Sequence, residues 1–254
     1  MRIEVVTLFP SLIGEALRHG VLGRAQERGM LVVETQDPRS YATDPHRTVD
    51  DRPYGGGPGM VGTAPPWAAA IDAAQVRLAK HGVPAARRLY LSAQGRRFCQ
   101  QDANRLGAEG GFVLIAGRYE GLDERVVAEL VDEELSLGDF VLSGGEFAAL
   151  AVIDAVARLL PGVLGDERSS VEESFTTGRL DWPHYTRPVQ WRGREVPEAL
   201  QGGNHALIAR WRLKEAIGRT WLRRPDLIVE NGLSEDESRL LNEFLAERED
   251  QENA

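Results

Sequence analysis

The run Phe112-Val113-Leu114-Ile115-Ala116-Gly117-Arg118-Tyr119-Glu120-Gly121 decides the fold class, together with its sequel Gly138-Asp139-Phe140-Val141-Leu142-Ser143-Gly144-Gly145-Glu146. Each stretch holds a short apolar run that ends on glycine, and a helix-like pattern follows each. Short apolar runs bounded by turn formers read as buried strands. In an open α/β sheet, ligands bind outside the carboxyl ends of the strands. Glycine there permits positive φ or a close approach of backbone to ligand. Two such glycine ends, one carrying Arg118, Tyr119 and Glu120, read as a binding site rather than as ordinary turns.

Outward from this stretch, strand and helix signals alternate through the first 160 residues. Ile3 to Phe9 reads as a strand, and Pro10-Ser11 opens a helix that stops at Gly20. Leu31 to Glu34 is strand-like, and 37–62 is a long polar, glycine-rich loop of a length that is usually functional or disordered. A helix is expected over 67–80, a strand over 88–92, a helix over 98–106, the strand 112–116, a helix over 124–131, a strand over 139–142 and a helix over 145–160. The alternation predicts an α/β fold, a mostly parallel sheet with helices on both faces. From Pro161 to about Pro183 periodicity disappears, and helical patterns return at 205–217 and 235–247. The expected domains are 1–162, a linker over 163–182 that could be mobile, and 183–254.

Hydrophobic content of 42% and charged content of 27% are ordinary for a soluble globular protein. The longest apolar stretch, 147–160, contains Asp154 and Arg158 and is too short to span a bilayer, so no membrane partner is expected. Met1-Arg2-Ile3 leads straight into a strand, so no signal peptide is expected. Cys99 is the only cysteine, which suits the cytoplasm. One Cys and five scattered His make no metal-ligand spacing.

The net charge of −9 argues weakly against a nucleic-acid partner, but its distribution points the other way. Between Arg187 and Arg224 nine Lys/Arg face three Glu, whereas from Pro225 onward ten acidic residues face two Arg. Trp191, Trp211 and Trp221 are interleaved with the basic stretch. Basic residues with aromatics between them can track a phosphate backbone. A solvated helix with core tryptophans accounts for the pattern equally well.

Gly57-Pro58-Gly59-Met60-Val61-Gly62 matches G-x-G-x-x-G, but no apolar strand precedes it, Pro65 and Pro66 follow it, and no acidic residue stands about 20 positions on, as a dinucleotide site requires. The fuller run from Asp50 to Met60 places two carboxylates, Arg52 and Tyr54 beside abundant glycine, which suggests backbone packed tightly against something. Leu91-Ser92-Ala93-Gln94-Gly95 follows another strand; alone it is a plain turn, and with the ends at Gly117 and Gly144 it makes three loops at one edge of one sheet.

These segments, with Leu160-Pro161-Gly162-Val163-Leu164-Gly165, Pro183-His184-Tyr185-Thr186-Arg187-Pro188, Gly203-Asn204-His205 and Trp211-Arg212, resemble in this order the bacterial tRNA (guanine-37-N1) methyltransferases, a SPOUT-class family. The resemblance covers nearly the whole chain. It implies a carboxyl-terminal trefoil knot in the α/β domain, against the general rarity of knots, followed by a small all-helical domain that grips tRNA. It implies S-adenosylmethionine bound bent among the knot loops, at Tyr90, Leu91, Ser92, Ala93, Gly117, Tyr119, Glu120, Gly121, Ser136, Leu137, Gly138, Phe140, Leu142, Gly144 and Gly145. It implies an obligate homodimer with shared sites, a Mg2+ requirement, and substrate contacts at Asp50, Tyr54, His184 and Arg187.

The family's proposed base is an aspartate just before Ser-Phe, where this chain has Glu173. Arg158 matches the position of a guanidinium that stabilises charge on guanine O6. Ala93, Ala116 and Phe140 replace a usual proline, a common cysteine and a common tyrosine. The implied activity is methylation of tRNA guanosine 37 at N1. A ribosomal RNA methyltransferase of the same class, or an RNA-binding protein of this fold without catalysis, are the alternatives; the intact glycine loops disfavour the latter.

Overall fold

The computed structural model describes residues 1–165 and 173–252. The chain divides into two compact units, 1–167 and 168–254. In the first unit, strands β1 (Arg2–Thr7), β2 (Val32–Gln36), β5 (Arg87–Arg97), β6 (Gly111–Ala116) and β7 (Glu133–Ser136) form one sheet in the order β2-β1-β6-β5-β7, every pair parallel. Two further strands, β3 (Asp50–Asp51) and β4 (Val61–Gly62), pair antiparallel inside the long polar loop. Helices α1 (Pro10–Ala16), α2 (Gly20–Glu27), α4 (Gln100–Ala108) and α6 (Glu146–Ala157) cover one face, and α3 (Ala64–Lys80) with α5 (Glu124–Leu130) the other.

All six residues of β6 are buried. Their side chains alternate between two core clusters: Phe112 and Leu114 pack with Ile3, Val5 and Val152, while Val113 and Ile115 pack with Trp67, Ile71 and Ala74. A central parallel strand is covered on both faces, so it reads as a continuous apolar run.

The strand expected at 139–142 is not one. Val141 is 91% exposed and Phe140 56%, and the edge strand beside β5 is β7, at 133–136. Charge hid it: Glu133 and Glu134 do not look like strand formers, but an edge position leaves Glu133 free to reach out of the sheet to Arg105, 2.8 Å away. The helix expected from Pro10 to Gly20 ends already at Ala16, and Gly20, with φ +62°, opens a further helix, α2, where the sequence marked only a stop.

The start of α4 is held by a reciprocal cap. Asp102 accepts from the Cys99 backbone N–H at 3.0 Å and from Arg96. Burial alone would raise the Asp102 carboxyl, but these donors outweigh it and hold it well below the usual carboxylate range. A depressed carboxyl stabilises the fold above its unfolded pKa of about 3.9 and loses that stabilisation as pH falls below it. Asp102→Asn is therefore expected to cost about 1–3 kcal/mol at neutral pH and to flatten the acid limb of the stability curve, measured by urea unfolding between pH 3 and pH 7. An unchanged acid limb would show that Asp102 carries no such linkage.

The second unit is not all-helical. Beside α7 (His205–Arg223), α8 (Pro225–Asn231) and α9 (Glu235–Glu252) it contains a hairpin of two short strands, β8 (Gln190–Trp191) and β9 (Arg194–Glu195). Its apolar centre is Ile217 of α7 against Leu240 and Leu241 of α9.

Candidate active site

Three chain segments meet at the carboxyl ends of β5, β6 and β7. The first is an interruption inside β5. Leu91 and Arg96 both pair with Leu135, so Ser92 to Gly95 leave the ladder. The excursion hugs the neighbouring strand, since a Cβ on Gly95 would lie 2.5 Å from the Leu135 nitrogen. The second is the loop 117–121, where Tyr119 and Gly121 adopt φ +57° and +111°. Tyr90 supports this loop from below: a Cβ on Gly117 or on Gly121 would come within 2.9 Å of its hydroxyl. Burial raises that hydroxyl above its usual pKa, so it stays neutral. The third is the loop 137–145 between β7 and α6.

The second and third loops are tied together. The Gly145 N–H donates to the Gly117 carbonyl at 2.9 Å, and Arg118 bridges to Gly144. Arg118 also donates to the Ser143 carbonyl at 3.1 Å, lies 4.2 Å over the Phe9 ring, and faces Glu146 with Nε 3.0 Å from Oε2. Glu146 is fully buried at the first turn of α6, where the helix dipole favours an anion, and its other oxygen accepts from Thr7 Oγ1 at 2.9 Å. A buried carboxylate needs such partners. The Glu146 position was missed in the sequence; its signal was an acid directly after Gly-Gly at a helix start.

The three loops enclose a cavity of about 280 Å3, near the lower end of the roughly 300–1,000 Å3 typical of small-molecule sites. The fifteen residues expected to hold a cofactor, from Tyr90 to Gly145, all line it. So do Gln94, Arg118 and Val141, within the expected loops, and Leu122, Glu124, Val127, Glu134, Leu135 and Ala148, outside them. Glu120, Glu124 and Glu134 make the lining acidic, because its one cation, Arg118, is already paired with Glu146.

The long polar loop joins this wall. Glu120 N–H donates to the Met60 carbonyl at 3.0 Å, Gly62 N–H to the Gly121 carbonyl at 2.8 Å, and Asp123 N–H to the Gly62 carbonyl at 2.9 Å. Asp50 sits in the short ladder opposite Gly62, and Tyr54 is fully exposed in the loop beyond. Neither lines the cavity. Arg158 is the C-cap of α6, where a cation complements the helix dipole.

Glu173 lines a cavity within the second unit, of about 390 Å3, with Leu180, Asp181, Trp182, Arg212 and Leu213 among its walls. The Arg212 guanidinium lies 4.8 Å over the Trp182 ring. His184 Nε2 is 2.8 Å from Asp181 Oδ2, and Arg187 is exposed. Glu172, the carboxylate just before it in the chain, lies outside the described residues.

The acidic end of the chain partly neutralises the basic segment. Arg210 pairs with Glu243 at 2.6 Å, Lys214 with Glu247, and Arg224 with Asp226 at 2.6 Å. Three of the nine basic residues are thereby engaged. Among the described residues no group of three or more His, Cys, Asp or Glu comes together as a metal centre, and no helix is long and apolar enough to cross a membrane.

Known proteins are similar to this chain over nearly all of its length. Residues 1–230 match the model of the family described as tRNA (Guanine-1)-methyltransferase TrmD. A protein of Methylococcus capsulatus named tRNA (guanine-N(1)-)-methyltransferase is 52% identical over all of this chain and 99% of its own length. Proteins of the same name from Halorhodospira halophila and Chromobacterium violaceum are 53% and 51% identical, over 97% and 98% of this chain and 92% and 98% of theirs. A family match that extends over both units, with relatives about half identical over their full length, shows that the chain belongs to the tRNA (guanine-1)-methyltransferases of the TrmD family.

Proposed function

We propose that this chain transfers the methyl group of S-adenosylmethionine to N1 of guanosine 37 in tRNA, next to the anticodon. The observation that carries the reading is the convergence of three glycine-ended loops on one acidic cavity, in a chain whose relatives are named tRNA (guanine-N(1)-)-methyltransferases.

The residues fit the cofactor. Gly117, Gly121 and Gly145 line the cavity and hold backbone where a Cβ would collide, so the loops can close on a ligand without side chains in the way. Glu120, Glu124 and Glu134 suit a ligand that carries a sulfonium and an ammonium. Bound there, S-adenosylmethionine supplies an electrophilic methyl that needs orientation more than activation. The protein's task is then the acceptor. Guanine N1 carries a proton at neutral pH and is a poor nucleophile until that proton leaves. Glu173 is assigned as the base and Arg158 as the cation that meets the charge developing on O6, both carried over from the family. His184, Arg187, Asp50 and Tyr54 are proposed as RNA contacts.

The proposal extends to a cytoplasmic homodimer whose first unit is knotted and whose second unit grips tRNA, with the domain limits set out above. Phe140 and Val141 at the cavity, and Phe147 at the start of α6, all more than half exposed, offer apolar surface for a second copy. A Mg2+ requirement is carried over from the family; among the described residues no group of three or more His, Cys, Asp or Glu comes together to hold the ion.

The test is to treat an unmodified tRNA transcript with protein and S-adenosylmethionine, digest it to nucleosides and analyse their masses. About one 1-methylguanosine per tRNA is expected, and none from a transcript with adenosine at position 37. Methylation of the adenosine-37 transcript, or of ribosomal RNA alone, would overturn the assignment.

A further inference from the structure

We infer that the β8–β9 hairpin is an RNA-stacking finger, in which Trp191 takes an unpaired base of the RNA and Arg187, Arg192 and Arg194 take the phosphates beside it. The inference rests on the reading of the chain as a tRNA methyltransferase and adds a contact to it.

The hairpin is built for display. Gln190 pairs with Glu195 and Trp191 with Arg194, closed by a Val196 N–H to Val189 carbonyl bond of 2.9 Å. Its tip is the two-residue loop Arg192-Gly193, with φ +51° and +76°, the signs that a type I′ turn demands. Side chains alternate faces along a strand, so Trp191 and its cross-strand partner Arg194 share one face while Gln190 and Glu195 take the other. Glu195 is the sole acid between Arg187 and Pro197, and it is therefore turned away from the indole.

Two features separate this hairpin from a plain surface turn. The first is Trp191 itself, 60% exposed, whereas the core tryptophan Trp67 is buried at 1%. The Arg192 guanidinium lies 4.7 Å from the Trp191 ring. The tip thus holds an arginine in a left-handed conformation where asparagine would sit without strain, and strain kept at an exposed tip points to use. The second is the state of the cations. In the same unit Arg179, Arg210, Lys214 and Arg224 are in ion pairs, whereas the hairpin gathers its cations within eight residues of one exposed indole. Among the described residues no carboxylate pairs with Arg187, Arg192 or Arg194.

An exposed indole flanked by unpaired guanidinium groups suits a polyanion that also offers flat apolar faces. An apolar protein surface would leave three cations desolvated and unmatched. Single-stranded nucleic acid supplies both parts, because a base free of its partner can stack on an aromatic ring while the backbone meets the arginines.

The experiment measures affinity of the full-length protein for a tRNA transcript by fluorescence anisotropy at several salt concentrations. Trp191→Ala should weaken binding about 5- to 150-fold, the usual range for losing one base–aromatic stack, and Trp191→Phe should recover most of it. Arg192→Asn keeps a favoured Asn-Gly turn, so the hairpin survives; it and Arg194→Gln should each reduce the slope of log K against log salt by about one. Affinity for S-adenosylmethionine, read by calorimetry, should not move in any of them. Wild-type RNA affinity and salt slope in both Trp191→Ala and Arg192→Asn would overturn the inference. So would a changed sedimentation coefficient in Trp191→Ala with RNA affinity intact, which would make the hairpin a protein contact. Variants that lose RNA as expected, in a protein whose wild type makes no 1-methylguanosine, would support the finger and remove the reading it rests on.

Discussion

Gly144→Val abolishes S-adenosylmethionine binding, and Gly117→Val weakens it roughly tenfold to a hundredfold, if the three-loop cavity is the cofactor site. A Cβ at Gly144 would lie 2.5 Å from Glu146 Oε2 and against Arg118 Nε. It would force apart the pair that ties the second loop to the third, with Glu146 buried and unable to move. At Gly117 a Cβ would meet the Tyr90 ring at 3.0 Å. Tyr90 is only 7% exposed, so the clash goes into the loop or the cavity. Overpacking of this kind costs about 1–3 kcal/mol, and each 1.4 kcal/mol spent on the binding geometry is tenfold in affinity. Isothermal calorimetry reads the loss, and thermal unfolding checks that each variant is folded. Normal affinity in a folded Gly144→Val protein would place the cofactor elsewhere.

Glu173→Ala should lower the rate of methyl transfer by about 10²–10⁴-fold, the usual worth of a general base, with cofactor affinity unchanged. Arg158→Ala should lower it by about 10²–10³-fold, as for a lost oxyanion donor. Single-turnover assays at saturating tRNA isolate the chemical step. Glu173→Asp tests the chain's departure from its family: the shorter side chain restores the residue usual at this position, so it should retain most of the rate. Full activity in Glu173→Ala with none in Glu172→Ala would move the base by one residue.

Much of the first unit was legible before any coordinates, for a physical reason. Strand β6 is covered on both faces, so its apolarity appears as an unbroken run. The glycines after it mark places where backbone has no room for a side chain, as the contacts at Gly117, Gly144 and Gly145 show. The ordered motifs then placed the chain in its family and named fifteen residues that line one cavity. The strand at 139–142 failed because apolarity alone does not distinguish a buried strand from an exposed loop. Phe140 and Val141 face outward, while the true edge strand hid behind Glu133 and Glu134.

Sequence by itself therefore determined the parallel α/β class, the family and the loops at the strand ends, since each is written in local patterns of apolar residues and glycine. Tertiary structure alone decided what those patterns meet. The excursion of Ser92–Gly95 out of β5, the support of Gly117 by Tyr90, and the Thr7–Glu146–Arg118 chain join residues 27 to 139 positions apart, and no local periodicity records such contacts. The same holds in the second unit. Composition counted nine cations between Arg187 and Arg224, but only folding pairs Arg210 and Lys214 with the last helix and leaves Arg192 and Arg194 in solvent beside Trp191, because charge neutralisation depends on distance in space and not on order along the chain.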